Sequence, residues 1–119
     1  MVANPASGVP ELTLATEKTP AETIIRCAGK IVTGTTDLLK GAARSAMTES
    51  KTVVLDFTKV TYLDSSGLGM IVGLYVSAKR EGRNLKLINL NQRVKELFAI
   101  TRLTPLFEGH EEMLGMTPD

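Results

Sequence analysis

Apolar and polar residues alternate from Glu11 to Lys18, with Leu12, Leu14 and Thr16 on one side and Thr13, Ala15 and Glu17 on the other. That two-residue period predicts a half-buried strand. Thr19-Pro20-Ala21 breaks it, and Glu22 to Ala28, with Ile24 and Ile25 inside, predicts a second strand. The short break favours an antiparallel hairpin. Gly29 is read as the end of that strand, with Lys30-Ile31-Val32 a brief continuation. Thr35 or Thr36 is placed to cap a helix carrying Leu38, Leu39, Ala42, Ala43 and Ala46/Met47, weakened by Gly41.

Lys51 to Phe57 is nearly continuous in apolar, β-branched residues, the pattern of a central strand covered by helices. Asp64-Ser65-Ser66-Gly67 then opens a helical stretch to about Arg80, with Gly82 at its C-cap. Asn84 to Leu90 predicts another strand, and Asn91 opens a helix carrying Val94, Leu97, Phe98 and Ile100/Thr101. Pro105 closes that region, and Leu106-Phe107 is read as a last short strand. The order β-β-α-β-α-β-α implies an α/β domain, a mixed four- to five-stranded sheet with parallel central strands packed against amphipathic helices. Residues 1–10 are read as a flexible leader, 11–109 as the domain and 110–119 as a C-terminal tail.

Composition narrows the function classes. With 119 residues, 43% of them hydrophobic, the chain is the size of one domain with a real core. No Trp, three Phe and two Tyr make that core aliphatic. Fourteen basic against thirteen acidic residues give a net charge of +1, which argues against a nucleic-acid grip or a polybasic lipid anchor. No signal peptide pattern opens the chain and no apolar run approaches a membrane span, so a cytoplasmic location without direct membrane insertion is expected. The single cysteine, Cys27, forms no internal disulfide and is read as a small buried hydrophobe.

The segment Asp64-Ser65-Ser66-Gly67-Leu68-Gly69 carries the most information. Asp and Ser cap helices, so Ser65 and Ser66 lie beside free N–H groups and the positive end of a helix dipole, where a phosphate finds donors. Read alone, four such residues are more often an ordinary cap than a modification site. On a helical wheel Leu68, Ile71, Val72, Tyr75 and Ala78 form the core face. Met70, Gly73, Leu74 and Ser77 fall opposite, with Val76 on the flank, an apolar and small face where charges are expected. An apolar patch beside a modifiable hydroxyl fits a regulated protein contact. Coverage by a loop, the leader or a second subunit explains it equally well, and a homodimer is itself a form of the protein-contact reading.

Val53-Val54-Leu55-Asp56-Phe57 followed by Val60-Thr61-Tyr62-Leu63-Asp64-Ser65-Ser66-Gly67-Leu68-Gly69 resembles the signature of the STAS family, which includes anti-sigma factor antagonists. The likeness continues through Leu85-Lys86-Leu87-Ile88, Val94-Lys95-Glu96-Leu97-Phe98 and Leu103-Thr104-Pro105-Leu106-Phe107. It implies that Ser65 is a phosphorylation site. Unphosphorylated, the protein would bind an anti-sigma factor that is also a serine kinase; phosphorylation would release it, and a serine phosphatase would reset it. The partner surface would comprise Asp64, Ser66, Gly67, Gly69, Met70, Gly73, Leu74 and Ser77. The chain departs from the family at Gly29-Lys30-Ile31-Val32, where two acidic residues are usual, at the positions of Lys30 and Val32. That departure bears on the partner's identity. It also strengthens an alternative, a constitutive STAS subunit of a stress-sensing complex or lipid-transport ABC machine, with no phosphorylation switch.

Enzyme chemistry is poorly supplied. Gly-x-Ser-x-Gly is absent, and the only histidine, His110, falls in the tail, so Ser65 and Ser66 lack a base. Gly67-x-Gly69 lacks the third glycine of a dinucleotide fingerprint, since Val72 stands there. Cys27 and His110 alone make no metal site, and no cofactor is implied. The basic run Lys79-Arg80-Glu81-Gly82-Arg83 reads as a solvated helix end, and nucleotide binding at the Ser65 helix start is a third, weaker reading.

Overall fold

The computed structural model describes residues 10–100. Its elements run β1 (Leu12–Lys18), β2 (Glu22–Ile31), α1 (Thr36–Glu49), β3 (Thr52–Leu63), α2 (Ser65–Arg80), β4 (Asn84–Ile88) and α3 (Gln92–Ile100). The strands form one sheet in the order β1-β2-β3-β4. The first pair is antiparallel, closed by a turn in which Thr19 N–H donates to the Glu22 carbonyl at 2.8 Å. The pairs β2–β3 and β3–β4 are parallel. The expected mixed sheet with parallel central strands is therefore present, with four strands among the described residues; the strand expected at Leu106-Phe107 and the tail from His110 lie outside them.

Parallel neighbours need crossovers, and right-handed crossovers advancing in one direction place both helices on the same sheet face. α1 and α2 accordingly pack side by side and run parallel to each other. Beneath them Ile25, Leu55, Phe57, Leu85 and Leu87 from the strands meet Leu39, Ala43, Ile71 and Leu74 from the helices in the hydrophobic core. Asn91 caps α3 by accepting from Val94 N–H at 2.8 Å, and its side-chain amide donates to the Val60 carbonyl at 3.0 Å. Val94 and Phe98 join the core.

Three strand ends depart from the pattern in the sequence. β4 stops at Ile88, short of the expected Leu90, and Asn89 after it takes φ +60°. Gly29 does not end β2; the strand passes through it with φ +118°, a conformation open to glycine, and continues to Ile31. A Cβ there would lie 2.0 Å from the Glu11 carbonyl oxygen, so the residue also admits the start of β1. β3 likewise runs on to Leu63, because the extended β2 gives its second half a partner: Val60 pairs with Gly29 and Leu63 with Ile31, across two register irregularities. Polar Thr58 and Lys59 hide this continuation from a reading by hydrophobicity.

Candidate functional site

Because β2 and β3 are parallel and end together at Ile31 and Leu63, the residues that follow each strand emerge side by side. Asp64 takes an extended conformation and serves as the N-cap of α2. Its backbone N–H donates to the Ile31 carbonyl at 3.2 Å. One carboxylate oxygen accepts from Gly67 N–H at 2.9 Å, and the other accepts from Thr33 N–H at 3.2 Å in the loop after β2. A single side chain thus caps the helix and ties down a loop 31 positions earlier in the chain. These N–H bonds, that of Gly67 foremost, hold the Asp64 carboxyl below its ordinary range, so it is an anion at neutral pH.

Gly67 is buried directly over this junction. A Cβ on it would stand 2.4 Å from the Ile31 carbonyl oxygen and 2.6 Å from Leu63 Cδ1. Its lack of a side chain lets the first turn of α2 sit on the ends of both strands. Gly67 was expected on the partner surface; it is instead the packing point beneath it.

The two serines differ. Ser66 lies 2.8 Å, hydroxyl to hydroxyl, from Thr33. Ser65, the first residue of α2, is exposed, and its hydroxyl has no protein partner among the described residues. The open cradle of helix N–H groups expected for a phosphate is already partly filled, since Asp64 occupies the Gly67 donor. Any charge placed on Ser65 therefore stands outward beside an anion. The same occupancy weakens the reading of a nucleotide phosphate held at this helix start.

Along α2, Gly69 and Gly73 are exposed, and Met70 and Ser77 half-buried, as the helical wheel places them away from the core. Leu74 is a correction: it is only 2% exposed. The wheel assumed one packing partner, the sheet, whereas α2 also packs against α1, and Leu74 lies on the side shared with Lys40 and Arg44. Val72, assigned to the core, is half-buried, and Val76 on the flank is 41% exposed. The resemblance marks the stretch around Ile31 and Thr33 as bearing on the partner, but only the parallel pairing of β2 with β3 brings these two residues to Asp64. Lys30 is exposed, and Val32 N–H is held by the Thr35 hydroxyl at 2.9 Å.

Elsewhere, a hollow of about 490 Å³ lies on the opposite sheet face, between Ala15, Arg26, Asp56 and Lys59. Arg26 pairs with Glu17 at 2.7 Å and stands 3.8 Å from Asp56. Burial raises the Asp56 carboxyl, but hydrogen bonds from Thr58 and the Asn89 amide, with Arg26 nearby, outweigh it and leave the pKa below its ordinary value. Cys27 is buried as expected, and burial with the charge of Asp56 pushes its thiol up to about 12. Among the described residues, no group of three His, Cys, Asp or Glu is arranged to hold a metal, and no helix is long and apolar enough to cross a membrane.

Comparison with known proteins agrees with this architecture. The family model described as STAS domain matches residues 13–113. An anti-sigma-B factor antagonist of Bacillus subtilis is 45% identical over 49 residues, 41% of this chain and 45% of that protein. The match thus spans less than half the length of that relative. The solved structure of the anti-sigma factor antagonist SpoIIAA in its unphosphorylated form superposes with a TM-score of 0.67 at 19% identity, covering 89% of this chain and 100% of the other. SpoIIAA of Bacillus in its phosphorylated form gives 0.64 at 20% identity, over 79% and 87% of the two chains. At such identities the structures speak for the fold.

Proposed function

Since the chain belongs to the STAS domain family, we propose that it is an anti-sigma factor antagonist that acts by partner switching, with Ser65 as the modified residue. In this reading the unmodified protein binds an anti-sigma factor that is also a serine kinase. Phosphorylation of Ser65 releases it, a serine phosphatase restores it, and the protein itself catalyses nothing. It works in the cytoplasm as a domain of about residues 11–109.

The observation that carries the reading is the contrast between the two serines. Ser65 presents an unpartnered, exposed hydroxyl at the first position of α2, while Ser66 is engaged by Thr33. A phosphate on Ser65 brings about two negative charges to a surface where Asp64 already holds one and the Gly67 helix donor is taken. Little in the domain can absorb that charge, so its cost falls on whatever partner lies against the start of α2. Relatives named anti-sigma-B factor antagonists, and a structural neighbour solved in a phosphorylated form, support the same reading.

The partner surface in this proposal is Asp64, Ser66, Gly69, Met70, Gly73 and Ser77, with Leu74 and Gly67 supporting it from below. Intact-mass analysis and peptide mapping of protein from its own cells should find one phosphate, on Ser65. Ser65→Ala should hold the anti-sigma factor permanently, and Ser65→Asp should bind it poorly. Equal binding by the two variants, with no phosphate under any growth or stress condition, would replace the switch by a constitutive subunit of a larger assembly. The loss of acidic residues at Lys30 and Val32 favours that second reading.

A further inference from the structure

Between α1 and α2 runs a cleft of about 270 Å³. Half-buried Met70 and the buried Leu74 lie in it, and Thr36 and Ser77 add hydroxyls to its lining. The α2 wall is nearly absent, because Gly69 and Gly73 carry no side chains and a Cβ on either would meet nothing within 4 Å. The α1 wall is charged. Lys40 and Arg44 stand one helical turn apart, both exposed, and neither has a carboxylate partner among the described residues. The other acidic residue of α1, Glu49, is paired with Lys18, and Asp37 sits at the far end of the cleft, in the first turn of α1. The cleft is therefore polarised, basic toward Arg44 and acidic toward Asp37.

We propose that this cleft docks an amphipathic helix of the protein's partner. That helix would place apolar side chains over Gly69 and Gly73, set two carboxylates one turn apart against Lys40 and Arg44, and carry a neutral or basic residue opposite Asp37. The missing wall beside Met70 leaves room for a bulky apolar side chain, and the two cations, neither held in an ion pair among the described residues, set the charge of the occupant. Lys40 and Arg44 thereby become residues that choose the partner. The inference rests on the antagonist reading, because it gives the chemistry of that partner's second contact, about 12 Å along α2 from Ser65.

The test uses a lactam-bridged helical peptide with leucines along one face and two glutamates one turn apart beside them, and a copy with lysines in their place. Each is titrated into the full ¹⁵N-labelled chain. The glutamate peptide should shift the amides of Gly69, Gly73 and Ser77. Joint Lys40→Glu and Arg44→Glu substitution, on exposed positions that leave the thermal melt intact, should weaken it about tenfold, and the lysine peptide should recover binding to that variant. Gly73→Leu should block both peptides. Equal binding of the two peptides to the unaltered chain overturns the proposal, as do shifts confined to another surface or none at millimolar peptide. Concentration-dependent shifts of the same amides without peptide would also overturn it and assign the cleft to a second copy. Ser65→Asp should leave the peptide titration unchanged, so failure of the switch shows separately, as Ser65→Asp still holding the anti-sigma factor.

Discussion

Gly67→Ala is the substitution with the sharpest expected consequence. The added methyl would stand 2.4 Å from a backbone carbonyl oxygen, where real contacts essentially never fall below 3.0 Å, so the start of α2 must retreat by about 0.6 Å. Ile31 O belongs to a paired strand and cannot turn aside as a flexible side chain would. Leu63 Cδ1 and Ile31 Cγ2, at 2.6 and 2.9 Å, close the other directions. Overpacking of this kind costs about 1–3 kcal/mol, and a rigid neighbour puts the cost near the top of that range. Replacing a helical glycine by alanine returns about 1 kcal/mol, leaving a net loss of about 2 kcal/mol. The same retreat stretches the Gly67 N–H bond to Asp64 and with it the contact to Thr33. Gly73→Ala supplies the control, since it lies in the same helix with open space around its Cβ, and should gain about 0.5–1 kcal/mol. Urea unfolding followed by far-ultraviolet circular dichroism, with a common m value, reads both. If Gly67→Ala is as stable as Gly73→Ala, the close approach of α2 to the strand ends is not what fixes the site.

Gly29→Ala should destabilise through two routes at once, the positive φ and the collision with Glu11, and is expected to cost more than Gly73→Ala gains, by the same unfolding assay. Cys27, with its thiol raised to about 12, should resist a thiol reagent such as DTNB in the native protein and react at once in denaturant; fast labelling of the native chain would refute its burial. For Asp56 the folded pKa is depressed, so its stabilising contribution is complete above the ordinary carboxyl pKa and is lost as pH falls through the folded value. Asp56→Asn should therefore be less stable than the unaltered chain at pH 7, by about 1 kcal/mol, with the gap closing below about pH 4.

Much of the fold was legible because helical and strand periods alternate cleanly and caps mark the boundaries. Asn91 and Asp64 stand where the sequence places them, while the C-cap of α2 is Glu81 and Gly82, at φ +70°, follows it. What escaped were features decided by neighbours in space. A helix between a sheet and another helix buries a wider arc than one stripe, which is why Leu74 faces inward although the wheel turned it out. The passage of β2 through Gly29 depends on pairing with β3, and no local rule distinguishes a strand-ending glycine from one that the strand traverses. At the site, capping chemistry marked Asp64, Ser65 and Ser66 as a helix start, and the family resemblance singled out Ser65. The different states of the two hydroxyls were not, since Thr33 reaches Ser66 only after the β2–α1–β3 crossover has formed.

The clamp made by Asp64 has a bearing on how the chain is read by other proteins. Thr33 and Asp64 are joined by one carboxylate, but they meet only when two parallel strands have paired and the helix between them has docked. A nascent or misfolded chain carries the same residues from Asp64 to Gly69 without this surface. Any enzyme that recognises Ser65 by the shape around it would therefore act on finished molecules and pass over unfinished ones. A peptide copying that segment would make a poor substrate, and modification of Ser65 would double as a certificate that the domain has folded.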